Sequence, residues 1–259
     1  MSSIELLFLG TGTSAGVPMI GCHCPVCSST DPHDKRNRPS VLISYEGHRV
    51  LVDTTPELRV QCLAYGIDSI DTVVYTHAHA DHIMGLDDLR RFNAIKKGPI
   101  DVWADDRTYQ SLHKCFSYAF LSPDAEPKVF RPHLVHRTID GPFAIGSRTW
   151  TPIPLIHGRY HVLGFRIGPL AYCTDVNEIP EASFELLKGV DTLVLDGLQP
   201  QPHPAHFSLP QAIAAAERIG ARRTLFTHIT HNMLHAETNA SLPPDKQLAH
   251  DGQRISITT

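Results

Sequence analysis

Long apolar runs are missing from this 259-residue sequence, so no segment suits a membrane-spanning helix. The opening Met1-Ser2-Ser3-Ile4-Glu5 lacks the basic and apolar regions of a secretion signal, and a cytoplasmic protein with no membrane partner is expected. Charge of one sign is missing too. The 23 basic and 27 acidic residues give a formal net charge of −4, with no sign of a general nucleic-acid surface. The local basic clusters Lys35-Arg36-Asn37-Arg38 and Arg222-Arg223 are read as solvated faces. Cysteine is sparse, at six residues, and in such a chain the thiols are expected to be reduced. Cys62, Cys115 and Cys173 are dispersed and are assigned to core packing. No linker-like segment and no repeat of fixed period divides the chain, so one domain over residues 1–259 is expected. At 42% hydrophobic residues it can bury a substantial core.

One apparent motif also lacks what it needs. Gly10-Thr11-Gly12-Thr13-Ser14-Ala15-Gly16 follows the strand-like Ile4–Leu9 and loosely spells a dinucleotide-binding turn. That fingerprint requires a helix to open at once. Val17-Pro18, Gly21 and Pro25 follow instead, and no helix runs through them. There is no Gly-Lys-Ser/Thr ending for a nucleotide P-loop either. The glycines are read as a tight turn that brings backbone close to the site described next.

What the chain does have is His77-Ala78-His79-Ala80-Asp81-His82, at the end of the strand-like Thr72–Tyr75. Four ligand-type side chains fall within six residues. His77 and His79 project to the same side of extended chain, whereas the adjacent Asp81 and His82 must diverge. One metal cannot easily take all four, and the arrangement suits two metals side by side. Neutral imidazole and carboxylate are ordinary ligands for zinc, manganese or iron(II). Further ligand-type residues recur in one setting, each closing a mostly apolar or β-prone run. Trp150–Ile156 leads to His157, Leu170–Thr174 to Asp175, and Arg223–Thr227 to His228. Each reads as a strand delivering a side chain to a common rim.

His77-x-His79-x-Asp81-His82 followed by His157, Asp175 and His228 resembles the metallo-β-lactamase superfamily of binuclear metal hydrolases. The resemblance covers essentially the whole chain. It implies an α/β sandwich of αββα type, two facing mixed sheets with helices outside, and a homodimer.

A second constellation narrows the choice. Gly21-Cys22-His23-Cys24-Pro25-Val26-Cys27 packs three cysteines into a loop at about residues 21–28, which suggests a metal clip more than disulfides. Three thiolates leave a tetrahedral zinc one ligand short. His23, between two of the cysteines, is poorly placed to close the tetrahedron, and His231 is the better fourth ligand. Cys-x-Cys-x2-Cys with this late histidine is similar to the PhnP group of the superfamily. That group hydrolyses cyclic phosphates, best known in phosphonate breakdown.

On this reading two catalytic divalent metals, manganese or zinc, and one structural zinc are expected. His77, His79 and His157 are assigned to one metal, Asp81, His82 and His228 to the other, and Asp175 to both. Two metals roughly 3.5–4 Å apart can share a water and lower its pKa, and the same cations can bind phosphate oxygens. Of the two histidines in Gly197–His206, only His206 precedes the Ser208-Leu209 helix start. The resemblance assigns it the role of phosphate contact or leaving-group acid. His206 and Asp81 are thus the catalytic residues, and His203 stays unassigned. The expected substrate is a small cyclic phosphate, such as phosphoribosyl cyclic phosphate or a 2′,3′-cyclic nucleotide. A tRNA 3′-processing nuclease, a pyrroloquinoline-quinone biosynthesis protein and a non-catalytic metal scaffold are the alternatives.

Strands are expected at Ile4–Leu9, Ser40–Tyr45, Val50–Val52, Thr72–Tyr75, Ile100–Trp103, Trp150–Ile153, Leu163–Ile167, Ala171–Thr174, Thr192–Leu195, Thr224–Thr227 and Ile255–Thr258. Helices are expected at Pro56–Tyr65, Gly85–Phe92, Asp105–Tyr118, Glu181–Leu187 and Pro210–Ile219. Ser208 is the expected cap of the last, and Gly66 the stop of the first.

Overall fold

The computed structural model describes residues 3–127 and 129–258, so Met1 and Ser2 of the opening stretch fall outside them. Seven strands form the first sheet: β1 (Ser3–Gly10), β2 (Ser40–Tyr45), β3 (His48–Val52), β4 (Thr72–Val74), β5 (Ile100–Ala104), β6 (Leu134–Thr138) and β14 (Arg254–Thr258). Their order is β14-β1-β2-β3-β4-β5-β6. The second sheet holds β7 (Phe143–Ile145), β8 (Arg148–His157), β9 (Tyr160–Ile167), β10 (Leu170–Cys173), β11 (Thr192–Asp196), β12 (Arg223–Thr227) and β13 (Lys246–Leu248). It runs β13-β12-β11-β10-β9-β8-β7. Each sheet is parallel in one half, β3 to β6 and β10 to β13, and antiparallel in the other.

The helices are α1 (Pro25–Ser28), α2 (Leu58–Tyr65), α3 (Ala80–Ile83), α4 (Leu89–Lys96), α5 (Asp106–Phe116), α6 (Glu181–Leu187), α7 (Leu209–Ile219) and α8 (His235–Ser241). Three apolar layers show how they stack. Ile4, Phe8, Val41 and Ile43 of the first sheet pack on Trp150, Phe165 and Tyr172 of the second. Leu58, Leu89, Phe92 and Leu112 cover the outer face of the first sheet. Leu187, Ala212 and Ala216 cover that of the second. The central strands of each sheet are therefore buried on both faces, which is why β4, β10 and β11 read as continuous apolar runs. Across the central layer Trp150 Nε1 donates to Tyr45 Oη at 2.9 Å, and Tyr45 Oη donates to Ile145 O at 3.0 Å. The indole and phenol, both buried, are thus satisfied.

Local signals in the sequence hold at several boundaries. Ser208 caps α7 in a capping box with Gln211, and α2 stops at Gly66 with φ +66°. The expected helix Gly85–Phe92 divides instead into a 3-10 turn, Leu86–Asp88, and α4. The short strand expected at Trp150–Ile153 is part of the ten-residue β8, which continues through Pro152 and Pro154. The two prolines are two residues apart, so their missing N–H groups face one side. Past Trp150 that side lies beyond the short β7 and needs no donor.

Two readings are corrected. Arg36 is no solvated charge: it is 2% exposed and donates to Thr11 Oγ1 at 2.7 Å and to Ala249 O at 2.6 Å. Lys35 donates to Cys27 O and Arg38 pairs with Glu57, so this basic cluster ties the cysteine loop to the body. Cys115 is exposed on α5 and packs in no core, unlike the buried Cys62 and Cys173.

Candidate metal centre

The parallel strands of both sheets end along one rim. Asp53 follows β3, the loop Tyr75–His79 follows β4, and Asp81 and His82 lie on α3. His157 ends β8, Asp175 follows β10, Asp196 ends β11 and His228 follows β12. Asp53, Asp175 and His228 have φ of 64°, 54° and 61°. Non-glycine residues in that left-handed region are uncommon and cost roughly 1–3 kcal/mol each, which concentrates strain where three side chains converge.

The donors fall into two groups that share Asp175: His77, His79, His157 with Asp175, and Asp81, His82, His228 with Asp175. Asp175 Oδ2 lies 3.8 Å from His77 Nε2, 3.9 Å from His157 Nε2 and 3.3 Å from His228 Nε2. Its Oδ1 lies 3.3 Å from His82 Nε2. Asp81 Oδ2 is 3.4 Å from His82 Nε2 and 3.6 Å from His228 Nε2. Donors around one cation stand roughly 3–4 Å apart when each bond is about 2.0–2.2 Å. The Nε2 atoms of His77, His82 and His228 are buried and have no hydrogen-bond partner among the described residues. Three orphaned nitrogens facing two carboxylates are what a divalent cation would satisfy, so the residues fit such an ion.

Electrostatics make the same demand. Burial and the neighbouring His82 push His77 well below its ordinary value, toward the neutral form that ligates. Burial opposes charge at His82 as well, but Asp175, Asp81 and Asp53 lift it well above the usual range. His228 is raised to about 9 against its burial, by the carboxylates of Asp175 and Asp81. Despite burial, Asp81 is held far below the usual carboxylate range by His82 and His228. The pocket requires positive charge between its carboxylates.

The surrounding partners set ring orientation. His82 Nδ1 bonds Asp53 Oδ2 at 2.7 Å, and Asp53 is itself held by Thr76 N at 2.9 Å and Thr76 Oγ1 at 2.8 Å. His157 Nδ1 donates to Ala205 O at 2.6 Å. Both arrangements turn Nε2 into the pocket. His206 stands beside the groups, its ring 4.5 Å from His157 and 4.6 Å from His228. Its Nδ1 bonds Asp196 Oδ2 at 2.6 Å, and the same oxygen accepts from Val176 N at 2.9 Å. His203 is exposed, 5.1 Å from His206. The sequence reading missed Asp53 and Asp196, although each closes a strand as the other candidates do.

The second cluster is separate. His231 Nδ1 is 3.2 Å from Cys22 Sγ, 3.4 Å from Cys24 Sγ and 3.5 Å from Cys27 Sγ. The sulfur–nitrogen edge of a tetrahedral zinc site, with bonds of about 2.3 and 2.0 Å, is roughly 3.5 Å. These four residues therefore also fit a cation. His23 is exposed and outside the group. The glycine turn lies between the clusters: Ile229 N donates to Thr11 O at 2.9 Å and Thr13 N to Ile229 O at 3.0 Å. A Cβ on Gly10 would stand 2.0 Å from Arg38 O, so only glycine allows this approach.

A cleft of about 310 Å³ opens beside His77 and His79, walled by Arg107, Thr108 and Ser111 of α5 and by Tyr160, His161 and Val162 of β9. A larger one, about 520 Å³, lies between α4 and residues 123–127 and 129–131, away from the candidate ligands.

Residues 48–229 match the β-lactamase superfamily domain. The chain is 44% identical to a protein of known structure described as a new diphosphatase from the PhnP family, with a TM-score of 0.92 over 99% of this chain and 98% of that one. It is 39% identical to an octanoyltransferase of Porphyromonas gingivalis over 98% of this chain but 52% of that protein, so it spans about half that relative's length. It is also 38% identical to a ribonuclease Z of a Bradyrhizobium species, over 98% of this chain and 99% of that one. With its two facing sheets and His/Asp clusters, the chain belongs to the β-lactamase superfamily, in its PhnP type.

Proposed function

We propose that this chain is a phosphodiesterase that opens small cyclic phosphates, with residues 1–259 acting as one domain. The observation that carries the reading is the Asp196–His206 pair, set against both His/Asp groups without belonging to the two that share Asp175. A nuclease of long RNA would call for an extended basic surface, which a net charge of −4 does not supply.

His77, His79 and His157 would hold one cation, Asp81, His82 and His228 the other, and Asp175 both. Two divalent cations, once bound, supply Lewis acidity toward phosphate oxygens and acidify water. The chain's own residues do the rest. Asp53 and Ala205 hold His82 and His157 so that Nε2 faces inward. Hydrolysis adds a water oxygen to phosphorus and breaks one ring P–O bond, and the departing alkoxide takes up a proton. His206 delivers that proton from Nε2, because Asp196 occupies Nδ1. Cys22, Cys24, Cys27 and His231 would hold a zinc that ties the N-terminal loop to the β12–α8 connection.

A second reading is hydrolysis of a small diphosphate, favoured by the 44% identity to a PhnP-family diphosphatase. A turnover screen of cyclic phosphates and small diphosphates, with manganese or zinc added back to stripped protein, tests both. Ring opening of a cyclic phosphate is expected. Turnover of diphosphates alone would establish the second reading, and turnover of neither would overturn both.

A further inference from the structure

Resting on the proposed assignment of His228 as a metal ligand, we propose that a bound water bridges Asp196, Thr227 and His228. Thr227 is thereby a positioning residue for His228. β11 and β12 run parallel, with Asp196 opposite Thr227. Val194 and Leu225, two residues earlier on the same strands, lie in the layer between the sheets, so Asp196 and Thr227 face that side too. Both are fully buried, and His228 is 1% exposed. With φ of 61°, His228 no longer follows the strand's alternation, so its ring need not turn away from Thr227.

Three polar atoms are left over in this corner. Asp196 Oδ1, Thr227 Oγ1 and His228 Nδ1 are buried and have no hydrogen-bond partner among the described residues. A cation at His228 accounts for Nε2 only. The N–H at Nδ1 still needs an acceptor, because ligating histidines donate their second nitrogen to one. Asp196 Oδ2 is already taken, accepting from His206 Nδ1 and Val176 N. An Asp196 oxygen and a ring nitrogen of His228 lie within 4.8 Å of each other, yet the two residues make no direct hydrogen bond. One water spans a gap of that size between buried polar groups. It accepts from His228 Nδ1–H and Thr227 Oγ1–H and donates to Asp196 Oδ1, and three bonds are usual for a buried water. Asp196 then orients two groups at once, His206 through Oδ2 and His228 through Oδ1.

A crystal structure of the metal-loaded wild type should show one water about 2.6–3.2 Å from all three atoms. Thr227→Val keeps the shape of the side chain, removes the hydroxyl and should lose that water. Titration of stripped Thr227→Val with manganese should show the active-site cations bound roughly 10-fold more weakly, the lower end for a partner that orients a ligating histidine. Thr227→Ser restores the hydroxyl and should regain most of the affinity. A packing role alone would give the reverse order, because Val fills the space better than Ser. That reverse order, manganese affinity in Thr227→Val equal to wild type, or no water at the three atoms would each overturn the bridge. None of these readouts depends on turnover. A wild type that shows the water and the expected titrations but hydrolyses no cyclic phosphate would refute the proposed substrate and leave the bridge standing.

Discussion

The two clusters of candidate ligands lie three residues apart in the chain, at His228 and His231, yet they are built in opposite ways. Cys22, Cys24 and Cys27 come from one short loop, and only His231 arrives from a distance. Cys22, Cys24 and His231 are part-exposed, and the set has four donors. The His/Asp cluster draws on strand ends in both sheets, is mostly buried, and places Asp175 and His228 in left-handed backbone. It has more donors than one cation needs, with the Asp196–His206 pair next to it. A closed sulfur-rich set leaves no position for water or substrate, whereas an open nitrogen–oxygen set does. On the proposed function, the cysteine set would hold structure together and the His/Asp set would perform the chemistry.

The strongest way to break this comparison is to remove a donor from the larger cluster. His79→Ala or Asp175→Ala should bring hydrolysis down to background. Elemental analysis of wild-type protein purified without chelator should give about three metals per chain, two catalytic and one structural. Both variants should keep the clip's zinc and lose catalytic metal. Near-normal turnover in either would mean that the cluster is not the reactive one.

His206→Ala should have the next largest effect, and it separates chemistry from metal binding within the same pocket. Loss of a general acid typically lowers the rate by roughly 10²–10⁴-fold, and the metal content should be unchanged. The loss should be greater with a sugar alkoxide leaving group than with p-nitrophenolate, which departs without a proton. Equal losses on both would assign His206 to phosphate positioning. A lost metal would make it a ligand.

The sequence could be read in proportion to how local each feature is. His77 to His82 and Cys22 to Cys27 are legible because spacing within a few residues fixes relative direction. His157, Asp175 and His228 are legible because each closes an apolar run. Asp53 and Asp196 close similar runs, after Val52 and Leu195, and their signal was present. Acids are common after strands, however, and only the ring each one holds distinguishes them, which is a long-range fact. β6, β7 and β13 went unseen because strands of three to five residues bordered by polar chain leave little periodicity. Arg36 shows the limit for charge: a basic run looks solvated until Thr11, Ala249 and His235 converge on one guanidinium.

A smaller effect should come from the supports. Asp53→Asn leaves every proposed ligand in place but weakens the partner that orients His82. Such changes typically cost about 10–100-fold in metal affinity or activity. Titration of stripped protein with manganese should show the weaker binding, with activity recovering at high metal. An affinity equal to wild type would leave Asp53 a purely structural acid.

The smallest effect on activity is expected at the clip, where the comparison is sharpest. The segment after His228 is anchored twice. One anchor is His231 in the cysteine cluster, and the other is Ile229, which exchanges backbone hydrogen bonds with Thr11 and Thr13. The second anchor does not depend on the thiolates, so Cys24→Ser should release one zinc and keep the catalytic pair. Turnover should stay within a few-fold of wild type at low temperature. The lost constraint should instead appear as a Tm lower by roughly 4–12 °C, the shift that about 2–3 kcal/mol produces in a chain of this size. Unchanged zinc content in Cys24→Ser would remove the clip from the comparison. Loss of the catalytic metals along with the zinc would show that His231, and not the Ile229 bridge, keeps His228 in place.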